Sequence, residues 1–160
     1  ATDDFVTQSG SVTYADRDAV SNAQFSISGG AYSGGASSKS GTYGSLAMDS
    51  LGQYVYTPDD AAMNALRGTA TETFTIVGSD GSLSSNQTLT ISVAGVNDTP
   101  TITSSAATIS YTDTNANDTF SVASGTILGA DADSGDTKAF SITGGIASSG
   151  LVSKTGTYGA

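Results

Sequence analysis

Thr88-Leu89-Thr90-Ile91-Ser92-Val93 decides the class of this fold, because Leu89, Ile91 and Val93 fall on one side of an extended chain and Thr88, Thr90 and Ser92 on the other. Such period-two alternation marks a strand with one face in a core and one in water. Phe74 and Ile76 alternate against Thr73 and Thr75 in the same way. Further short strands are expected at 11–15, 23–28, 43–48, 53–57 and 101–110, separated by clusters of Gly, Ser and Asp. Asp49-Ser50-Leu51-Gly52 supplies a Gly-containing turn, so 43–48 and 53–57 should pair antiparallel, with Tyr54 and Tyr56 on one face covering the edge of the core. One exception interrupts the strands. Asp59-Asp60 precedes Ala61-Ala62-Met63-Asn64-Ala65-Leu66 and Gly68 follows, the pattern of a capped helical turn or two. The class is all-β, and about seven short strands per ~115 residues suit an immunoglobulin-like β-sandwich better than a closed barrel.

Moving outward from these strands, the stretch Phe5–Ser45 reappears at Phe120–Ala160 at a constant offset of 115 residues with no gap. About half of the aligned positions are identical, and a period this long implies whole domains in tandem, since solenoids and propellers repeat every ~20–50 residues. Gly10 is repeated as Gly125, Asp16 and Asp18 as Asp131 and Asp133, Phe25-Ser26-Ile27 as Phe140-Ser141-Ile142, and Gly41-Thr42-Tyr43-Gly44 as Gly156-Thr157-Tyr158-Gly159. The expected boundary is Val96-Asn97-Asp98-Thr99-Pro100, where a strand ends and Pro100 cannot donate to a ladder. This gives one repeat at 1–97 and the N-terminal part of the next at 98–160. The second copy omits everything equivalent to Leu46–Asn97, so either the natural chain continues or a neighbouring chain supplies the missing strands.

Composition narrows the chemistry. The 160 residues carry 15 acidic and 5 basic side chains, a net charge of −10, which repels phosphate backbones and anionic lipid and argues against nucleic acid as a partner. Without Cys or His there is no disulfide, no thiolate or imidazole metal site, and no Ser-His or Cys-His pair for nucleophilic catalysis. The reading is therefore not an enzyme. Glu72 is the single glutamate, and hard-cation binding through oxygen ligands is the chemistry the composition favours. No apolar run reaches the ~18 residues needed to span a bilayer, so no membrane insertion is expected.

The acidic residues gather in one place. Asp131 and Asp133, at i and i+2, lie on one side of an extended segment, and Gly135 permits a turn that brings Asp136 near them. Carboxylates about 5 Å apart at an effective dielectric of ~20 repel by roughly 3 kcal/mol per pair, a cost that a cation among them removes. Calcium suits such a loop because it accepts six to eight oxygens in flexible geometry. A second acidic stretch, Asp113-Thr114-Asn115-Ala116-Asn117-Asp118, lacks the Gly and distal Glu of an EF-hand and reads as a polar turn, and Asp59 and Asp60 read as helix caps.

Two resemblances follow. Gly41-Thr42-Tyr43-Gly44-Ser45-Leu46, Gly52 to Asp59, Asn64-Ala65-Leu66, Thr71 to Ile76, Ser79-Asp80-Gly81 and Thr88 to Pro100 resemble, in order, the VCBS repeat of very large bacterial surface proteins. Ala130-Asp131-Ala132-Asp133-Ser134-Gly135-Asp136, Phe74 to Gly81 and Val96-Asn97-Asp98 resemble the cadherin repeat. The cadherin resemblance implies calcium ligands at Asp131, Asp133, Asp80, Asn97 and Asp98, where neighbouring repeats join. Asp16 and Asp18 would then serve a junction with a preceding repeat. The chain departs from that pattern in having Thr99 where a second linker Asn is usual and no counterpart of the early Glu; Glu72 sits in Thr71-Glu72-Thr73-Phe74 as a solvated strand residue would.

These readings predict a structural tandem-repeat module of a large secreted bacterial adhesin or matrix protein, stiffened by calcium at inter-repeat junctions and serving cell adhesion or biofilm formation. Its location would be extracellular or on the cell surface, and its partners neighbouring repeats of the same chain. The rival readings are a protomer of an extracellular filament, in which identical chains complete one another's strands, and a carbohydrate-binding module using Tyr32, Tyr54, Tyr56 or Tyr111.

Overall fold

The computed structural model describes residues 3–15, 17, 23–104 and 108–158. The chain divides into two compact units, Ala1–Thr99 with Ala132–Ser134, and Pro100–Asp131 with Gly135–Ala160. This differs from a single break after Asn97 in placing Ala132–Ser134 with the first unit. The Ser134 amide donates to the Ala65 carbonyl at 3.2 Å, which accounts for the difference locally.

The first unit is built from β1 (Gln8–Ser11), β2 (Gln24–Ile27), β3 (Ala31–Ser33), β4 (Ala36–Ser40), β5 (Gly44–Asp49), β6 (Gln53–Pro58), α1 (Asp60–Asn64), β7 (Thr69–Ser79) and β8 (Ser84–Ala94). All pairings are antiparallel, in a five-stranded sheet of order β1-β6-β5-β4-β3 and a three-stranded sheet of order β2-β7-β8. Alternation explains β7: Phe74, Ile76 and Gly78 are buried, whereas Thr71 and Thr73 are exposed. Its register with β8 sets Phe74 opposite Leu89 and Ala70 opposite Val93. One apolar cluster draws Ile27, Phe74, Ile76 and Val93 from the three-stranded sheet, Leu46, Met48 and Tyr56 from the five-stranded sheet, and Met63 from α1. All-β architecture, in antiparallel sheets with a single short helix among the described residues, follows from these pairings.

The β5–β6 turn forms at Asp49–Gly52 as the sequence requires. Asp49 Oδ1 accepts the amides of Leu51 and Gln53, each at 2.9 Å, and Gly52 adopts φ 85°, a left-handed conformation open to glycine. Helix α1 is capped by Asp59, whose Oδ1 accepts the Ala62 amide at 3.1 Å. No described helix is long and apolar enough to cross a membrane.

Two local expectations need correction, and one hairpin lies where no strand was expected. The first strand runs Gln8–Ser11, not 11–15, because the β6 strand it pairs with spans Tyr56 to Gln53 in that register and turns away beyond; at Gly10, opposite Tyr54, a Cβ would overlap the tyrosine hydroxyl. The hairpin β3–β4 carried no alternation. Its signal was Gly34-Gly35, both at positive φ (62° and 84°), the two-residue turn that matches strand twist. Of the strand expected at 101–110, Thr101–Ile102 pairs and residues 105–107 lie outside the described residues.

The second unit holds β9 (Thr101–Ile102) paired with β10 (Gly129–Ala130), and β11 (Ile146–Ser148) paired with β12 (Leu151–Ser153). Every buried apolar side chain among the described residues lies between Ile27 and Val93, in the first unit.

Candidate metal centre

The loop Asp131–Asp136 begins where β10 ends. Asp131, Asp133 and Asp136 each offer a carboxylate oxygen, and these oxygens lie within 4.8 Å of one another. Gly135 at φ 80° makes the left-handed turn that returns the chain toward Asp131 and Asp133. Asp133 is 5% exposed, and its Oδ2 accepts the Asp98 backbone N–H at 2.6 Å. Asp131 and Asp136 are half-buried.

Three carboxylates this close repel by roughly 3 kcal/mol per pair at an effective dielectric of ~20. The donor set, all hard oxygens without nitrogen or sulfur, fits Ca²⁺, and Mg²⁺ fits less well because it demands near-ideal octahedral placement. Asp3, Asp4, Asp60, Ala61, Asn64 and Ala132 line an adjoining cleft. Asn64 braces that cleft: its Oδ1 accepts the Asp3 amide at 2.7 Å and its Nδ2 donates to the carbonyls of Asp3 at 2.8 Å and Asp60 at 2.7 Å. Asp60 is the first residue of α1, and its Oδ1 accepts the Phe5 amide at 3.0 Å. Asn64 is buried at the last position of α1, and its place in the Ala61–Leu66 helical turn is the one sequence signal for this brace.

The other residues expected at the centre are placed as follows. Asp98 supplies its backbone amide to Asp133, but its carboxylate is outside the three-residue group. Asn97 is exposed and its Nδ2 donates to the Asp98 carbonyl at 3.1 Å. Asp80 does not join them. It sits at the turn between β7 and β8, and the 11 residues of β7 separate that turn from the end of the hairpin leading to Asn97 and Asp98, about 35 Å at ~3.3 Å per residue. There its Oδ1 accepts the amides of Ser82 and Leu83, each at 2.7 Å, and the Leu83 bond, with that of Ser82, holds its carboxyl below the ordinary 3.8. Asp16 and Asp18 lie outside the described residues.

Glu72 is neither a ligand of this loop nor a solvated strand residue. It lies on the inward face of β7 with Phe74, accepts the Tyr56 hydroxyl at Oε1, and at Oε2 accepts the amides of Thr42 at 2.7 Å and Tyr43 at 3.2 Å. Burial, then the Glu72 bond, raises the Tyr56 phenol above its ordinary pKa of 10.0. Gly41 lies against this carboxylate, which a Cβ there would overlap. In the Asp113–Asp118 turn, Asp118 Oδ2 accepts the Thr114 amide at 2.5 Å, as a polar turn requires. Of the four tyrosines named for stacking on sugars, Tyr56 is buried, Tyr54 half-buried, and Tyr32 and Tyr111 exposed.

No protein-family model matches the chain, and no curated protein matches it.

Proposed function

We propose that the chain is a stretch of a tandem array of immunoglobulin- or cadherin-like β-sandwich repeats in a large secreted bacterial adhesin or matrix protein, with calcium held by the Asp131–Asp136 loop. The observation that carries this reading is the hydrogen bond from Asp98 N–H to Asp133 Oδ2, which ties the Asn97-Asp98 segment to the Asp-x-Asp loop while Asp131 and Asp136 stand within 4.8 Å. A divalent ion supplies the positive charge that makes three adjacent carboxylates tolerable. Asp131, Asp133 and Asp136 supply oxygens, and Asp98 fixes the orientation of Asp133.

In this reading the ion makes the chain after β8 stiff, and a string of such repeats holds a distant adhesive domain away from the cell. Ion binding is coupled to local order, so stability depends on calcium concentration. Thermal melting tests it. Calcium raises the Tm of the wild-type chain by several degrees and leaves the Asp131→Asn/Asp133→Asn double variant unmoved. An equal rise in both proteins contradicts the reading.

A further inference from the structure

We propose that Asp80-Gly81 is a site of spontaneous backbone modification, the conversion of aspartate to isoaspartate through a cyclic imide, which the folded β7–β8 turn holds in check with Ser79 as the guarding residue.

Of all the aspartates and asparagines in the chain, Asp80 alone is followed by glycine. Glycine has no Cβ, so nothing crowds the nitrogen of the bond between them. In the first step that nitrogen attacks Asp80 Cγ. A bond forms between the Gly81 nitrogen and Cγ, and the amide proton leaves with the carboxyl hydroxyl as one molecule of water. Water then adds back to the five-membered imide at one of its two carbonyls. Opening at Cγ restores aspartate. Opening at the main-chain carbonyl of Asp80 breaks its bond to the Gly81 nitrogen and leaves isoaspartate, with the chain running through Cβ. No oxidant or other reagent enters. The closure has three requirements: a carboxyl carbon free to swing onto the nitrogen, a neutral carboxyl whose hydroxyl can depart, and loss of the amide proton.

The turn at 80–83 opposes all three. Asp80 Oδ1 accepts the amides of Ser82 and Leu83, each at 2.7 Å, which fastens the carboxylate to the part of the loop beyond Gly81. The same two bonds, that of Leu83 first, favour the ionised carboxylate and hold its pKa below 3.8. The Gly81 N–H donates to Ser79 Oγ at 3.1 Å, so the proton that must leave is engaged. Ser79 Oγ in turn donates to the Leu83 carbonyl at 2.9 Å, and the Asp80 amide donates to that carbonyl at 3.2 Å. The Ser79 hydroxyl thus restrains the attacking nitrogen and ties the start of the loop to its end.

This protection is made of hydrogen bonds rather than packing. Leu83 is 76% exposed, and a Cβ on Gly81, which adopts φ 95°, would meet nothing within 4 Å. Opening the turn therefore leaves the apolar cluster intact, and local opening sets the rate at which the reactive geometry is reached. The product would also be damaging. Isoaspartate lengthens the main chain by one bond between residues 80 and 81 and moves the carboxylate to Cα, so the Leu83 carbonyl and amide no longer meet Asp80 together. The pairs next to the loop, Ser79↔Ser84 and Gly78↔Ser85, would fray first.

The test incubates the full chain at neutral pH and measures isoaspartate at position 80 by peptide mapping with electron-transfer fragmentation, which separates the two isomers at equal mass. Native chain is expected to convert at least about tenfold more slowly than the same chain held unfolded in guanidinium. Ser79→Ala, checked for native fold by circular dichroism, is expected to convert at least about threefold faster than wild type, the effect of losing one exposed hydrogen bond. Ser79→Thr keeps the hydroxyl and is expected to return to the wild-type rate. Equal conversion of native and unfolded chain, no conversion of the unfolded chain, or a Ser79→Ala rate shared by wild type or by Ser79→Thr overturns the proposal.

Discussion

The Asp98 backbone N–H donates to Asp133 Oδ2 at 2.6 Å across 35 residues of chain. That bond holds the buried Asp133 carboxylate in place, with carboxylate oxygens of the half-buried Asp131 and Asp136 within 4.8 Å of it.

Asp131→Asn should therefore change the sign of its effect with calcium. In EDTA the substitution removes repulsion worth at most about 3 kcal/mol per pair and raises the Tm. In millimolar calcium it removes a ligand and lowers the Tm relative to wild type. Circular-dichroism melts in the two buffers check this, and a shift of the same sign in both rejects it.

Ile27→Ala and Ile142→Ala exchange the same side chain at repeat-equivalent positions with different burial. The first should cost about 2–5 kcal/mol and the second less than about 0.5 kcal/mol in the chain alone. Urea unfolding of the two variants measures the difference, and equal losses would mean that the second copy buries its isoleucine as the first does.

The strands with strong alternation were legible in the sequence: Phe74 and Ile76 against Thr73 and Thr75, and the turn at Asp49–Gly52, lie as their residue types demand. The hairpin at Ala31–Ser40 was not, because small side chains leave no hydrophobic period and only the Gly34-Gly35 turn specifies it. At the candidate centre, Asp131, Asp133 and Asp136 are near in sequence, so a local turn suffices to gather them. The placement of Asp80 depended on the length and register of the β7–β8 hairpin, which motif matching does not supply. Glu72 illustrates the same limit: alternation with Phe74 puts it on the inward face, but its partners Tyr56, Thr42 and Tyr43 are fixed only by the packing of one sheet on the other.

Tyr56→Phe should destabilise the first unit by about 1.5–3 kcal/mol, the range for a hydrogen bond to a charged partner. The ring and its contact with Phe74, at a centroid distance of 6.2 Å, remain in the variant. Equilibrium unfolding at pH 7 measures the loss, and an unchanged midpoint would show that the Glu72 bond contributes nothing net.

The same tyrosine sets an alkaline limit. Its folded pKa is raised above 10.0 by burial first and by the Glu72 bond second. Between pH 10 and the folded value the unfolded chain binds fewer protons than the folded one, so this contribution is complete below pH 10 and declines as pH rises, by up to about 1.4 kcal/mol per unit. Urea unfolding at pH 9 and 11 should show a steeper decline for wild type than for Tyr56→Phe, and parallel declines contradict the assignment. Asp80 acts in the opposite direction: its lowered pKa gives a contribution present above 3.8 and lost as pH falls below it. Asp80→Asn should flatten the acid limb of the same curve.

The most direct measurement of the central claim is a calorimetric calcium titration of the 160-residue chain alongside its Asp133→Asn variant, with magnesium as the competing ion. The account predicts saturable calcium uptake by the wild type, at least tenfold weaker uptake by the variant, and little displacement by equimolar magnesium. Absence of calcium heat from the wild-type chain at millimolar ion, or identical isotherms for the two proteins, contradicts it.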